Sequence, residues 1–257
     1  DFLASFGLGV FCYQQVRGGN ILQPHQGFTG EWSQAIYFLA SCLLLYRAAL
    51  FIHELVHQRN GTLTLFRFAW NLLCGIPFLI PTFVYYGHIH HHRRPHYGTQ
   101  ADGEYLPLLR RNPAYIFYYH SWSLIIPVGV VFRFMVLTPF AWLSPAARRW
   151  IHQHASSMVM DPSYIRPFPT ARVRKTIYLQ ELACFLWCWG VAIVPPLVLH
   201  RWPWPFVIQA YLTAVVIITI NSIRTLGSHR WRSDGHHSMT FVEQLADSVN
   251  YPTTGWF

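Results

Sequence analysis

Charged residues are scarce in this chain. Of its 257 residues, 11% are Asp, Glu, Lys or Arg, and Lys175 is the single lysine. A soluble domain usually carries about 25% charged residues. The composition is instead 53% hydrophobic and 17% aromatic, which excludes an ordinary soluble domain and is typical of a membrane protein.

The sequence also lacks an even set of cysteines and an N-terminal signal. Its five cysteines are an odd number, and all of them lie in apolar stretches. This pattern argues against a disulfide scaffold and against a thiolate metal site. The sequence begins without Met or a signal-peptide region and ends without an evident stop structure. We therefore expect a chain that is clipped at both ends.

Long hydrophobic runs are present, and positive charges flank them. Several runs reach the roughly 17–25 residues that a helix needs to cross a bilayer. The formal charge of +9 comes almost wholly from arginine, and arginines beside apolar runs fit the positive-inside rule better than a nucleic-acid partner. We predict an all-α polytopic membrane helical bundle, one domain over residues 1–257, with apolar segments at 2–16, 35–52, 63–86, 114–137, 182–199 and 205–220.

Two of these segments are poor straight spans. Pro77 and Pro81 interrupt the third segment, and Pro127 and Arg133 interrupt the fourth. We expect both to be re-entrant or interfacial, supported by neighbouring helices. The last two segments then form an out-and-back pair, and the arginine-rich stretch 144–175 faces the cytoplasm together with the histidine clusters.

Histidine is abundant at the ends of two apolar segments. One group has the spacing H-x-x-x-H and the other H-x-x-H-H, and helical residues three and four apart share a face. Imidazole suits iron, zinc and copper, and five imidazoles exceed what one tetrahedral zinc uses. The spacing predicts a polynuclear metal centre at a membrane surface, held by His53, His57, His88, His91 and His92, with His90 pointing away.

The stretch from His53 to His57 also matches H-E-x-x-H, the zinc-protease motif in which Glu54 is the general base. A protease needs one further ligand, usually a carboxylate, and Asp102 and Asp234 lie in polar loops. It also has no use for a second histidine cluster. An intramembrane zinc protease is therefore the alternative from a different class. A metal or haem carrier is more remote, because haem needs lone histidines facing each other within the membrane.

Several motifs together resemble the membrane-bound fatty acid desaturase family. These motifs are the two histidine groups, the polar segment after the second histidine group, and the polar segment after the last apolar segment. The resemblance covers most of the chain from about Ala35 onward, and it is carried by residues 53–57, 87–92, 97–100, 104–107, 221–230 and 243–250.

The resemblance implies two non-haem iron ions, O2 as co-substrate, and electrons from a ferredoxin, rubredoxin or cytochrome b5 type partner. His53 and His57 match the family's first histidine box, and His88, His91 and His92 match the second. His229 matches an additional ligand, and Asn221, His236 and His237 are weaker candidates. Carboxylates should orient the metal-bound rings. The candidates are Glu54, Asp234, Asp102 and Glu104, and a solvated surface is the alternative explanation for Asp102 and Glu104.

The family's third box, another H-x-x-H-H, is absent from this sequence. His236 and His237 lack the required histidine three positions earlier, where Ser233 stands. In the family the box would fall beyond Val249 and Asn250. We therefore expect that the chain stops before it.

The resemblance implies an O2-dependent diiron oxidoreductase that introduces a double bond into a fatty acyl chain. A hydroxylase or ketolase acting on an apolar substrate is the nearest alternative, because oxygen transfer after the same hydrogen abstraction gives an alcohol. The substrate would come from the bilayer, along aromatic residues such as 185–189. Four arginines follow the second histidine group: Arg93, Arg94, Arg110 and Arg111. They suit a phosphate or acyl-carrier headgroup or an acidic electron donor. Alternatively, they only set the membrane topology.

Overall fold

The structure, a computed structural model, describes residues 1–22, 30–59, 61–106, 108–161 and 163–249. Helices form almost all of its regular structure, and those ranges contain no β-strand, which confirms the all-α prediction. The α-helices are α1 (Phe2–Gln15), α2 (Glu31–His57), α3 (Thr64–Trp70), α4 (His88–His91), α5 (Ala114–Phe132), α6 (Thr138–Leu143), α7 (Pro145–His154), α8 (Ala171–Leu199), α9 (Trp204–Gly227) and α10 (Phe241–Asp247).

Four helical stretches of the described chain are long and apolar enough to cross a membrane. They are α2, the stretch Ala114–Leu143 that joins α5 to α6, α8 and α9. Many of their large apolar side chains face outward; Phe117 is 77% exposed and Leu197 is 69% exposed. Apolar surface of this kind is stable in contact with lipid. The chain is therefore an integral membrane protein.

Helix α1 packs antiparallel against α2. Phe2 contacts Phe51 near one end of the pair, and Phe11 contacts Tyr37 near the other. A Cβ atom at Gly9 would lie 2.8 Å from Leu45 Cδ2, so glycine lets the two helices approach here without a shift of the Leu45 side chain. The pairing anchors α2, whose last turns carry the first histidine group.

The third apolar segment is broken, as its prolines predict. After α3 the chain forms a π-helical turn at Asn71–Gly75 and a 3₁₀ turn at Thr82–Tyr85. The Asn71 side chain joins the two turns, because its Oδ1 accepts a hydrogen bond of 2.9 Å from the Thr82 backbone N–H. This folded return places α4 next to the end of α2.

The fourth segment departs from its prediction. Helix α5 continues through Pro127, so the predicted interruption at that residue is wrong. The proline is buried, and the helix accommodates it. A π-helical turn does occur at Arg133–Leu137, and α6 follows it directly. Phe134 packs edge-on against Phe83, which precedes α4. The interfacial placement of this segment stays a prediction.

The arginines of the stretch 144–175 are not all exposed charges. Arg148 is buried and forms an ion pair with Glu181 of α8, and Arg133 pairs with the same carboxylate. Arg166 is buried too, and its guanidinium donates to the backbone carbonyls of Ser156 and Phe83. These residues hold the stretch against the helices, and its orientation toward the cytoplasm stays a prediction.

Candidate metal centre

Four histidines from two elements converge on one point. His53 and His57 come from the end of α2, while His88 and His92 come from α4 and the residue that ends it. One ring nitrogen from each lies within 4.8 Å of the others. The Nε2 atoms of His88 and His92 are 2.8 Å apart. Four convergent imidazole nitrogens form a donor set that suits a transition-metal ion.

Glu104 orients one ring of this cluster. Its Oε2 lies 2.6 Å from Nδ1 of His88, and both side chains are largely buried. A carboxylate at Nδ1 holds the ring proton there and leaves the Nε2 lone pair free. That lone pair faces His92, in the direction a metal ligand requires. Glu104 Oε1 is buried and has no hydrogen-bond partner among the described residues.

Asp102 has the same relation to His91. Its two carboxylate oxygens lie 3.0 Å and 2.8 Å from Nδ1 of that ring, and its side chain is fully buried. The backbone N–H groups of Gly98 and Glu104 each donate to it at 3.0 Å. These contacts fix the carboxylate, and the carboxylate fixes the tautomer of His91.

The loop that carries both carboxylates is clamped at Gly103. Its carbonyl accepts backbone hydrogen bonds from Met160 at 2.8 Å and Asp161 at 3.1 Å. A Cβ atom at this position would lie 2.8 Å from the Tyr164 ring. Glycine is therefore required for the loop to lie against the chain after α7, with Asp102 and Glu104 turned toward the histidines.

His91 and His229 form a second group beside the cluster, with ring centroids 5.1 Å apart. His229 Nδ1 lies 2.7 Å from the Tyr97 hydroxyl, and that hydroxyl donates to the fully buried Asp247 at 3.0 Å. With this arrangement His229 donates its Nδ1 proton to Tyr97 and keeps a free Nε2 lone pair. Tyr105 also donates to Asp247, at 3.0 Å.

The electrostatics of the site favour neutral rings. Burial, followed by the charges of neighbouring histidines, lowers the pKa of His92 to about 3 and that of His229 to about 4. His91 is the exception, because the hydrogen bond and charge of Asp102 outweigh burial and raise its pKa. Burial raises the pKa of Glu104 to about 8, and a metal cation bound at the cluster would favour its carboxylate form, which accepts the Nδ1 proton of His88. Neutral imidazole is the form that binds a metal ion.

The remaining candidates from the sequence lie at the edge of the four-histidine group or outside it. Glu54 is 68% exposed, and its carboxylate is 3.3 Å from His53 Nδ1, on the outer side of that ring. Asp234 accepts from the His236 backbone and lies 3.6 Å from His237, neither of which belongs to the four-histidine group. The Asn221 side chain accepts a hydrogen bond of 3.1 Å from Tyr46. The third box was expected beyond residue 249, which lies outside the described residues.

Two orienting groups went unrecognised in the sequence. Asp247 and Tyr97 lie in segments that carry the family resemblance, yet nothing in their spacing connects them to His229. Asp102 and Glu104 are candidates in the sequence, but their position in a polar loop does not indicate that both side chains are buried. The available signal was their density: two carboxylates flanking a glycine shortly after a histidine box.

Comparisons with known proteins agree with this geometry. The family profile described as fatty acid desaturase matches residues 31–257. The chain belongs to the fatty acid desaturase family. It is also 38% identical over 225 residues to the ceramide hydroxylase of Caulobacter vibrioides, an alignment that covers 83% of this chain and 60% of that protein. The chain thus spans about 60% of the length of this relative. No solved structure matches it significantly.

Family membership and geometry give the zinc-protease alternative no support. That alternative needs Glu54 beside a metal held by two histidines and a carboxylate. The structure instead assembles four histidines, with Glu54 largely exposed. An all-imidazole donor set with carboxylates behind the rings fits the iron centre of a membrane oxidoreductase.

Proposed function

We propose that this chain forms the histidine centre of a membrane diiron oxygenase that hydroxylates a long-chain lipid of the ceramide class. The observation that carries the proposal is the convergence of His53, His57, His88 and His92 at the end of two apolar elements. The choice of hydroxylation over desaturation is supported by the similarity to a ceramide hydroxylase. Desaturation, which the sequence favoured, is the competing outcome.

The residues present fit two metal positions. The four-histidine group would hold one iron ion, and His91 with His229 would contribute to a second. Two histidines are fewer than an iron ion usually takes, so the predicted third box would supply the remainder. When bound, the two ions would activate O2 for the oxidation of a C–H bond. With two electrons and two protons from outside the protein, the products are an alcohol and water.

The chain's own residues prepare this site. Asp102 and Glu104 hold Nδ1 protons on His91 and His88, which keeps the Nε2 lone pairs turned inward. Asp247 holds the Tyr97 hydroxyl so that it accepts from His229. The Tyr85 ring stacks on His88 with centroids 4.6 Å apart and shields that ring from water.

The placement of the site supports a lipid substrate, and the family resemblance supports a protein electron donor. A site at the ends of apolar helices is reached by a lipid chain from the bilayer. The electrons would come from a ferredoxin, rubredoxin or cytochrome b5 type protein on the cytoplasmic side. Cysteine labelling near His57 and His88 tests this placement. Both positions should be labelled from the cytoplasmic side, and labelling of the two positions from opposite sides would contradict a shared site.

The direct test is expression of the full gene in a bacterium that makes ceramide, followed by mass spectrometry of its lipids. Hydroxylation predicts ceramide carrying one additional oxygen atom. Loss of two hydrogen atoms from an acyl chain would instead establish the desaturase. No change in any lipid, with iron-loaded protein and a matched electron donor, would contradict the proposal. His57→Ala supplies the inactive control.

A further inference from the structure

A second concave site lies beside the metal centre. It is a cavity of about 410 Å³ between the loop leading into α4 and the chain that connects α7 to α8. His90 lines it, on the side of α4 away from the four-histidine cluster, and none of the proposed iron ligands lines it. The catalytic proposal therefore leaves this cavity unexplained.

The cavity has a buried polar group in its wall. His152 of α7 is 2% exposed, and its Nε2 atom is buried without a hydrogen-bond partner among the described residues. A buried polar nitrogen costs free energy unless it is paired. Its position in the lining makes it available to a bound molecule.

The charge around this wall is positive. Arg93 stands exposed at the cavity, and Arg166 is buried in the lining with its guanidinium fixed by the carbonyls of Ser156 and Phe83. No carboxylate is among the described lining residues. A guanidinium held in place by neutral carbonyls presents fixed donors to an anion at little further entropic cost.

The surroundings do not neutralise this charge. Behind the lining, Arg133 and Arg148 share the carboxylate of Glu181. With Arg166, the region contains three buried guanidiniums and one buried carboxylate. Burial, followed by the charges of Arg166 and Arg133, lowers the pKa of His152 to about 3. The region therefore carries buried positive charge that an anion would stabilise.

The cavity also lies at the start of a helix that is long and apolar enough to cross a membrane. Val173 and Ile177, in the first turns of α8, supply apolar lining, and Phe168 lies beside them. Helix α8 is a candidate span that begins at Ala171. The opening is thus at the depth where lipid headgroups lie.

We propose that this cavity binds a phosphate group between Arg93, Arg166 and His152, carried by an anionic phospholipid headgroup or present as free phosphate. The guanidinium groups donate to phosphate oxygens, and the charge of a bound phosphate favours the protonated form of His152, whose Nε2–H then donates to a further oxygen. The site is separate from the proposed reaction and does not depend on its chemistry.

Calorimetry on the full chain in a neutral detergent tests the proposal, with dihexanoylphosphatidylglycerol, inorganic phosphate and dihexanoylglycerol as probes. Saturable binding of the phosphatidylglycerol alone identifies a lipid headgroup site. Binding of inorganic phosphate as well identifies a general phosphate site. Both support the proposal, whereas binding of neither anion, or equal binding of the neutral dihexanoylglycerol, overturns it.

Two neighbouring arginines provide a matched pair of variants. Arg93→Gln should weaken anion binding about three- to tenfold, because it removes one charge-assisted contact at an exposed rim. Arg94→Gln, equally exposed but outside the cavity lining, should leave it unchanged. Equal weakening by both variants would show nonspecific charge attraction and would contradict the assigned pocket.

Discussion

Two buried polar regions of this molecule have opposite charge balances. Around the histidines, the carboxyl groups of Asp102, Glu104 and Asp247 lie beside rings of which His92 and His229 favour the neutral form and His91 favours protonation. Around Glu181 of α8, Arg133 and Arg148 share one carboxylate, and the buried guanidinium of Arg166 is held by backbone carbonyls instead. Buried charge of one sign is costly unless a partner of the other sign is bound. The first region therefore suits a cation and the second an anion.

The two regions also differ in how their polar groups are held. Asp102 and Glu104 each contact a ring nitrogen and fix its orientation, and Asp247 orients His229 through the Tyr97 hydroxyl, so the role of these carboxylates is directed at a ligand. The guanidiniums of Arg133 and Arg148 instead satisfy Glu181 and tie α7 to α8, so their role is partly structural. Variants in the two regions should consequently affect different measurements.

The largest effect is expected from removing a histidine of the cluster. His57→Ala should lower turnover by more than about a hundredfold and reduce bound iron, because a lost ligand exceeds the cost of a lost orienting group. Iron content and lipid products of the purified variant measure both effects. His154→Ala, an exposed histidine of α7, is the control and should retain both. A fully active His57→Ala would contradict the assigned centre.

The second effect concerns the positive region. Glu181→Gln should lower the free energy of unfolding by about 3–5 kcal/mol, because it leaves buried guanidiniums without their carboxylate. Thermal or denaturant unfolding in detergent measures the loss. Glu31→Gln, at the exposed start of α2, should have little effect. Equal stability of the two variants would mean that water already reaches Glu181.

Two carboxylates next to histidines should behave differently. Asp102→Asn should reduce metal affinity or activity about 10–100-fold, since the buried carboxylate fixes His91. Glu54→Gln should have a much smaller effect because Glu54 is largely exposed. Activity assays on both variants decide the point. If Glu54→Gln removed nearly all activity, a general-base role of the zinc-protease type would be supported instead.

A smaller effect is expected from Tyr97→Phe. The variant keeps the ring but removes the hydroxyl that links His229 to Asp247, a loss of about 1 kcal/mol for one hydrogen bond. The expected change is about a fivefold loss of affinity for the second iron. Tyr178→Phe, on α8, is a matched control outside the site. Identical iron titrations for Tyr97→Phe and the unaltered protein would remove Tyr97 from the account.

The sequence predicted the helical fold, and the structure brings four of the five predicted histidines together, while His91 turns toward His229. The broken third segment was also predictable, since proline removes a backbone donor. The roles of Arg148 and Arg166 were not, because composition cannot distinguish an exposed arginine from one paired with a distant Glu181. Asp247 was missed for the same reason: its contact with Tyr97 joins residues far apart in the chain.

The central claim is that these histidines hold iron. Elemental analysis with Mössbauer spectroscopy of the full gene product, purified from cells supplied with both iron and zinc, tests it most directly. The account predicts about two irons per chain, from a histidine-rich set that exceeds one tetrahedral zinc site, with iron lost in His57→Ala. One zinc and no iron would contradict it.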